Sequence, residues 1–412
     1  MQILSPEENR IHRIKEKAFL KIREEYEMES SVLQARRDYL SAYNPFLLAL
    51  QNSVDSKNWY RQFDRQPMGT VCVQAPVELF HAANLQPFRL CGSSFIAPQI
   101  APNQTPALMC PMVKSSLGML ELYKKAGVLT SCVVPTTCDW TVKFPEMNSG
   151  DFKEFYFLEL SHVKEGERTR KKWLEEIYEF KKYLEAYTNQ KILQKQLQNA
   201  LQIYAKARML LDEVIRKNTK GQLAAVWLIV IANSLYLMNI ETWCDAVEGV
   251  LKEILTKKIK EKTNKRVFLT GSPIFFPNVK MLTLLEEAGL WVCGDDLCSG
   301  SRILPPPAPI KDRSEHALLR SLAEKNHMGC SCPTFAQNDR RMGVIQSAYQ
   351  QEPFDGVVFH VLKGCHPFDM ESFWIEDRVR AQKIKFLRIE TDYVREDSQN
   401  ILTRLEAFRE TL

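Results

Sequence analysis

Short apolar runs alternate with amphipathic helical stretches twice along this chain, and that alternation is the strongest constraint on its fold. The first series of strand-like runs covers residues 70–73, 88–90, 129–134 and 155–158. The second series covers residues 266–270, 290–292, 356–361 and 385–389. Strands that alternate with helices are typical of parallel sheets in α/β proteins. We therefore predict an α/β fold with two Rossmann- or flavodoxin-like domains, 66–160 and 263–412, that face each other across a cleft.

The segments outside these two domains have helical patterns. Residues 1–65 carry charged and apolar side chains at helical spacing, first over 6–43 and again around Trp59. This predicts an N-terminal helical extension that packs on the body or on a second copy of the chain. Residues 161–262 predict a central helical section. Its longest apolar run, 223–238, contains Asn233 and Ser234 and is too short to span a membrane, so we predict a buried helix there.

Composition argues against several classes of function. The 412 residues are 45% hydrophobic, which allows a large core, and the net charge is only +5. No basic block with interleaved aromatic residues stands out, so nucleic-acid binding has little support. The N-terminus is charged from Glu7 onward and shows no secretory signal. We expect a cytoplasmic protein without membrane segments.

Eleven cysteines need a chemical explanation. An odd number in a cytoplasmic protein argues against a disulfide framework and favours metal ligands or core thiols. Four lie within apolar strand-like or helical runs and are predicted to be small buried side chains: Cys72, Cys132, Cys244 and Cys293. The others follow strands, precede helices or lie in loops with glycine or proline: Cys91, Cys110, Cys138, Cys298, Cys330, Cys332 and Cys365.

Two of these thiols show why the pattern points to ligands. Cys110 precedes Pro111, which favours the first turn of a helix, so its thiolate would be stabilised by the helix N-terminus. Cys138 comes just after a strand-like run, at the strand end where α/β proteins bind ligands. No C-x-x-C links the two, which favours ligands from separate loops over a local zinc site. The first α/β unit contributes three such thiols, Cys91, Cys110 and Cys138, and the second contributes Cys298, Cys365 and one of Cys330 and Cys332. Three thiolates suit a cubane with one iron left for another ligand, so these two sets of three would suit two cubanes.

Ten short segments carry a family resemblance. They are P-V-E-L-F-H-A-A, R-L-C-G, L-M-C-P-M-V-K-S-S-L-G, V-V-P-T-T-C-D, L-T-G-S-P, D-D-L-C-S-G-S-R, G-C-S-C-P, F-H-V-L-K-G-C-H-P, I-E-T-D-Y and T-R-L-E-A-F. From about residue 69 to its end, the chain resembles the 2-hydroxyacyl-CoA dehydratase and benzoyl-CoA reductase family. Within that family it is most similar to the double-cubane cluster proteins.

The resemblance implies a set of cluster ligands. The ordinary dehydratase pattern implies one [4Fe-4S] cluster on three ligands: Cys110, Cys138 and Cys365. The double-cubane pattern adds three more: Cys91, Cys298 and either Cys330 or Cys332. Cys330 is favoured because it holds the position of the family's cysteine before the next helix, although the C-x-C leaves Cys332 open. The six thiolates would hold an [8Fe-9S] double-cubane cluster, two [4Fe-4S] units joined by a sulfide, with Cys91, Cys110 and Cys138 on one unit.

The implied activity is the reduction of a small molecule in the cleft by an oxidoreductase of anaerobic metabolism. A separate ATP-hydrolysing [4Fe-4S] reductase would deliver low-potential electrons to a homodimer of this chain. We find no G-x-x-x-x-G-K-[ST] phosphate loop, so the partner would hydrolyse the ATP. Two alternatives stay open. One is a subunit of an (R)-2-hydroxyacyl-CoA dehydratase, a lyase, with a single [4Fe-4S] cluster; the other is a non-catalytic electron carrier or cluster-handling protein.

Two side chains are candidate catalytic groups. His366 follows a predicted ligand and could donate protons, which a reduction consumes along with electrons. Lys114 lies, with Ser115, one turn into the helix after Cys110 and could bond a cluster sulfide or an anionic substrate. A structural histidine and an ordinary helix surface explain the same residues without chemistry.

Overall fold

Two parallel sheets of four strands form the framework of the protein. The computed structural model describes residues 6–55, 63–101, 105–147, 154–259, 264–336 and 339–412. The first sheet contains β1 (Gln66–Thr70), β2 (Leu85–Arg89), β3 (Ser131–Pro135) and β4 (Glu154–Leu158). The second contains β5 (Lys265–Gly271), β6 (Leu290–Asp295), β7 (Gly356–Leu362) and β8 (Lys385–Thr391). Their orders, β2-β1-β3-β4 and β6-β5-β7-β8, are the same topology, which confirms the prediction of two parallel α/β units.

Helices surround both sheets and fill the segment between them. The N-terminal and first α/β segments contain α1 (Pro6–Gln34), α2 (Asn44–Asn52), α3 (Val77–Ala82), α4 (Pro111–Lys125) and α5 (Asp139–Lys143). The central section contains α6 (Glu167–Thr188), α7 (Gln194–Thr219), α8 (Ala225–Ser234) and α9 (Ile240–Thr256). The second α/β segment contains α10 (Lys280–Glu287), α11 (Glu315–Ala323), α12 (Arg340–Gln351), α13 (His366–Ala381) and α14 (Ser398–Glu410). The predicted helical character of the central section is therefore present, and the exact domain limits stay predictions.

The first strand begins and ends earlier than the sequence suggested. The apolar run at 70–73 predicted a strand, whereas β1 ends at Thr70 and residues 71–74 form a loop. Proline weakens a strand because it cannot donate to the ladder, so Pro67 argued against this position. The structure tolerates Pro67 because β1 pairs with β3 only from Gly69 onward. The shift matters for function, since it moves Cys72 from a strand into a loop.

Helix α8 forms the apolar centre of the molecule. All ten of its residues are buried, as expected for a helix that is hydrophobic on every side. Trp227 stacks on Tyr43 with ring centroids 4.1 Å apart. Asn233 is satisfied because it donates to the Ser299 carbonyl oxygen at 2.8 Å and accepts from the Phe276 amide at 2.9 Å. The prediction of a buried helix is thus confirmed, and no helix in the described ranges is long and apolar enough to cross a membrane.

The N-terminal helix packs on both α/β units. In α1, Tyr26 meets Phe276 of the second unit edge to face, with ring centroids 5.3 Å apart. Glu25 accepts a hydrogen bond from the Ser94 hydroxyl at 2.5 Å, in the first unit. The extension therefore contributes to the body of this chain. The helical pattern predicted around Trp59 lies outside the described residues.

Candidate functional site

Seven thiols line one internal cavity between the two sheets, which we call the thiol chamber. They are Cys72, Cys110, Cys138, Cys298, Cys330, Cys332 and Cys365. None of the eleven cysteines, all of which lie in the described ranges, forms a disulfide. Of the six predicted ligands, all except Cys91 are thus brought together from distant parts of the chain. Cys332, the alternative to Cys330, and Cys72 lie beside them.

The topology of the sheets explains this convergence. Cys72 follows β1, Cys138 lies between β3 and α5, and Cys365 lies between β7 and α13. Cys298 lies in the loop after β6, and Cys110 immediately precedes α4. The carboxyl ends of parallel strands meet at one edge of a sheet, where loops gather ligands. Two such edges facing each other enclose the thiol chamber.

Cys110 and Cys365 form a thiol pair that is hydrogen-bonded between the two halves of the chain. The hydrogen bond from Cys365 lowers the pKa of Cys110, and the amides of Met112 and Val113 at the start of α4 lower it further, against the effect of burial. This supports the predicted thiolate at the helix N-terminus. Cys138 influences the same pair electrostatically, and its own sulfur lies 3.1 Å from the Thr141 hydroxyl. These three thiols form one group, which draws on both α/β units.

The remaining chamber thiols form a second group near a cationic wall. The hydrogen bond from Cys332 lowers the pKa of Cys330 to about 7, and the nearby Arg302 guanidinium lowers it too. Nη1 of Arg302 lies 3.7 Å from the Cys330 sulfur. Cys72 interacts electrostatically with Cys298 and Cys332, and burial raises its pKa. The contacts therefore group the thiols differently from the sequence prediction, which divided them by domain. Cys110 of the first α/β unit and Cys365 of the second are hydrogen-bonded to each other and lie in the same group.

Cys91 lies one layer behind the chamber. Its sulfur accepts a hydrogen bond from Nε of Arg89 at 3.1 Å, and the terminal nitrogens of Arg89 reach Cys298. Cys91 lines a neighbouring small cavity together with Arg89 and Tyr236. Burial raises the pKa of Cys91 despite the adjacent guanidinium. Among the predicted ligand thiols, Cys91 is the one that the chamber lining does not include.

The environment of Cys72 differs from the one predicted from the sequence. It was grouped with three core cysteines, and those three are buried as predicted: Cys132 and Cys244 at 0% exposure and Cys293 at 4%. Cys72 instead lies in the turn between β1 and α3 and faces the chamber. Its position after a strand and shortly before a proline-led helix was the available signal, since Cys138 and Cys365 occupy equivalent places.

The two candidate catalytic side chains lie away from the chamber lining. Lys114, in α4, donates from Nζ to the carbonyl oxygen of Ala107 at 2.6 Å, in the loop that precedes the helix. His366 is exposed, and its neighbours Cys365 and Pro367 line the chamber instead. The geometry gives neither side chain a direct approach to the thiols, and their catalytic roles stay predictions.

Several side chains beside the thiol chamber were not predicted from the sequence. Lys164 is buried, donates to the Cys330 carbonyl oxygen and lies 4.7 Å above the Phe335 ring; burial lowers its pKa to about 8. With Arg89 and Arg302, it places three cationic groups around the second group of thiols. Isolated basic residues far apart in a chain carry no motif, so only the fold reveals them.

A buried ionic network fixes the loop that carries Cys330. Arg341 is fully buried and donates to the carboxylates of Asp296 and Glu371, the latter at 2.6 Å. Its other terminal nitrogen donates to the Ser331 carbonyl oxygen at 2.8 Å. Paired and hydrogen-bonded charges of this kind define geometry more than they add stability. The network therefore holds the Cys330 loop against the second sheet.

The donor set of the chamber fits an iron–sulfur cluster. Within the part of the chain that the structure describes, no three Cys, His, Asp or Glu side chains are arranged to hold a single metal ion. A cubane differs in that each of its thiolates binds a different iron. Seven thiols, with cationic groups and hydroxyls around them, match the chemistry that such clusters require.

The family model for the D-component of 2-hydroxyglutaryl-CoA dehydratase matches residues 72–412. The chain therefore belongs to the 2-hydroxyacyl-CoA dehydratase family. It is 27% identical to YjiM of Escherichia coli K12, a protein named as a dehydratase subunit, over 84% of this chain and 91% of that relative. It is 22% identical to the beta subunit of (R)-phenyllactyl-CoA dehydratase of Clostridium sporogenes, over 85% and 93%. It is also 22% identical to the beta subunit of (R)-2-hydroxyglutaryl-CoA dehydratase of Acidaminococcus fermentans, over 86% and 94%.

Proposed function

We propose that this protein is an iron–sulfur reductase whose thiol chamber holds a double-cubane [8Fe-9S] cluster. The observation that carries the proposal is the number of thiols in one cavity. A single cubane with an open iron uses three thiolates, whereas seven line this chamber. Two cubanes that share a sulfide, each held by three thiolates, would use six of these seven thiols.

The contacts suggest how the ligands divide. Cys110, Cys138 and Cys365 would hold one cubane, since these three influence one another directly. Cys298 and Cys330 would hold the other together with Cys72, which takes the place predicted for Cys91. When bound, the cluster would supply electrons of low potential to a substrate in the cleft.

The protein's own residues tune and protect this site. Arg89 and Arg302 place positive charge and hydrogen-bond donors beside Cys298 and Cys330. Lys164 adds a third cationic group at the Cys330 loop. Hydrogen bonds and charge near cluster thiolates set how readily a cluster is reduced. The second group of thiols is therefore the half of the site in which added negative charge is best stabilised.

Electrons would come from an ATP-hydrolysing [4Fe-4S] reductase, as the family resemblance implies. We further propose a cytoplasmic homodimer. Support comes from exposed apolar residues of α1 that lie within an arc of about 120°: Ile14, Leu20, Met28 and Val32. Light scattering on the anaerobically purified protein tests the dimer, and a monomer mass at micromolar concentration would contradict it.

A dehydratase subunit with a single [4Fe-4S] cluster is the second candidate function. Two specific observations favour it: the relatives above are named as dehydratase subunits, and Cys110, Cys138 and Cys365 form one group of three interacting thiols. In that case this chain would act beside a second subunit, and the remaining chamber thiols would have no cluster to bind.

An anaerobic assay with two arms separates the candidates. The protein is mixed with ATP and the ATP-hydrolysing reductase, and its visible iron–sulfur absorbance is followed. In the second arm, (R)-lactoyl-CoA or (R)-2-hydroxyglutaryl-CoA is added and loss of water is measured. We expect ATP-dependent reduction of the protein without dehydration of either thioester. Sustained dehydration would favour the dehydratase.

A further inference from the structure

A second cavity of about 620 Å³, which we call the side pocket, adjoins the thiol chamber. The two share part of their linings: Val73, Gln74, Arg302 and Cys330. A cavity of this size suits a small metabolite. It reaches the second group of thiols, on the side of Arg302, and not the group of Cys110 and Cys365.

Gln74 is placed between the two cavities with an amide that lacks partners. The residue is 1% exposed, and neither Nε2 nor Oε1 finds a hydrogen bond among the residues that the structure describes. The Ser331 hydroxyl, in a residue that is also 1% exposed, is in the same situation on the wall of the side pocket. Buried polar groups are nearly always hydrogen-bonded, because a buried donor or acceptor without a hydrogen bond costs about 1–3 kcal/mol. These groups therefore indicate a polar ligand.

The charged residues that line the side pocket indicate that this ligand is an anion. Arg302 donates through Nε to the Asp296 carbonyl oxygen and lies near Cys330 through Nη1, while Nη2 makes no hydrogen bond within the described ranges. Arg340 is an exposed cation at the rim. Arginine is well suited to binding carboxylates, because its donors match two oxygens.

The acidic residues of the wall are already engaged. Asp212 accepts from Nη2 of Arg208 at 2.5 Å. Asp295 accepts from the amides of Leu297 and Ser301 at 2.8 and 3.0 Å. Arg302 and Arg340 thus remain available to an incoming anion.

We propose that the side pocket is the substrate site and binds a small organic carboxylate, with Arg302 donating to the carboxylate and Gln74 bonding a second polar group. This inference rests on the proposed reductase function and names its substrate class. Arg302 would contact both the bound carboxylate and the Cys330 sulfur, so it would hold the reducible part of the substrate at the second group of thiols.

Isothermal titration calorimetry on the anaerobically purified protein tests this proposal with three probes. They are (R)-lactate, its neutral analogue (R)-lactamide, and (R)-lactoyl-CoA, in which the carboxylate is esterified. We expect lactate to bind at least about tenfold more tightly than lactamide, since a charged hydrogen bond distinguishes them. Equal affinity for lactate and lactamide, or binding of the thioester alone, would overturn the proposal.

Variants locate the binding. Arg302→Met and Gln74→Leu should each weaken lactate binding about tenfold, and Arg340→Gln, at an exposed position, should weaken it several-fold without affecting folding. Arg216→Met, on the exposed face of α7, is the matched control and should bind like the wild type. Unchanged lactate affinity in Arg340→Gln and Gln74→Leu would overturn the site. Iron is measured on the same samples, so a missing cluster, which would contradict the proposed function, is distinguished from a missing anion site.

Discussion

Arg89 joins the two α/β units at the edge of the thiol chamber through its contact with Cys298. Nη1 of Arg89 donates to the Cys298 carbonyl oxygen at 2.5 Å, and Nη2 lies 3.4 Å from the Cys298 sulfur. Arg89 is the last residue of β2, whereas Cys298 follows β6, so the contact spans both sheets. A guanidinium in this position places positive charge and a hydrogen-bond donor beside the Cys298 sulfur.

Replacing Arg89 by methionine should weaken cluster binding and make the bound cluster harder to reduce. The substitution removes a positive charge and a hydrogen bond beside a ligand, and changes of this kind typically cost about tenfold or more in metal affinity. Iron content and a redox titration measure the two effects. Arg89→Lys keeps the charge and should shift the potential less. An unchanged potential in Arg89→Met would contradict the role assigned to this residue.

Replacing Cys298 by alanine should remove cluster integrity and reductase activity together. Cys298 lines the chamber, whereas Cys244 is fully buried in α9, away from the chamber lining. Cys244→Ala is therefore the matched control and should keep both iron and activity. Full iron content and activity in Cys298→Ala would make the single-cubane dehydratase the better interpretation.

Cys72 and Cys91 differ in a way that ligand variants can measure. Cys72 lines the chamber and Cys91 lies behind Arg89, so Cys72→Ser should lower the iron content more than Cys91→Ser. Cys132→Ser, at a buried position of β3 outside the chamber lining, controls for the general effect of changing a thiol. Iron loss in Cys91→Ser with retention in Cys72→Ser would restore the ligand set predicted from the sequence.

His360 should make the stability of the protein depend on pH. Burial lowers its pKa to about 4, and the imidazole lies 2.7 Å from the Thr391 hydroxyl and 3.1 Å from the Ser272 carbonyl oxygen. The unfolded chain takes up a proton near pH 6.5 and the folded chain does not. Stability is therefore lost as pH falls from 6.5 towards 4, by up to about 3 kcal/mol.

Urea unfolding of the metal-free protein between pH 7 and pH 4 measures this dependence. His360→Gln removes the titrating group and should flatten the pH dependence of the unfolding midpoint, although the midpoint at pH 7 falls. An equal slope in the variant and the wild type would show that other groups determine acid sensitivity.

The sequence predicted the framework of the site better than its internal arrangement. Local patterns specify where strands end and helices begin, and this was enough to place Cys110, Cys138 and Cys365 at the starts of helices. The grouping of these three thiols was implied by the family resemblance, because the local patterns assigned Cys365 to the other α/β unit. The end of β1 was misplaced because Pro67 weakened the strand signal, and Cys72 was therefore assigned to the core. The contact of Arg89 with Cys298 depends on how two sheets pack, which no local pattern encodes. The side pocket beside Arg302 likewise depends on the packing of the whole chain, because its walls come from six separate segments.

Anaerobic determination of iron and acid-labile sulfide per chain tests the double-cubane proposal most directly. The protein is purified without oxygen, and both elements are measured against an accurate protein concentration. We predict about eight irons and nine sulfides per chain, since two cubanes and a bridging sulfide would occupy the thiol chamber. About four irons and four sulfides would contradict the double cubane and indicate a single [4Fe-4S] cluster.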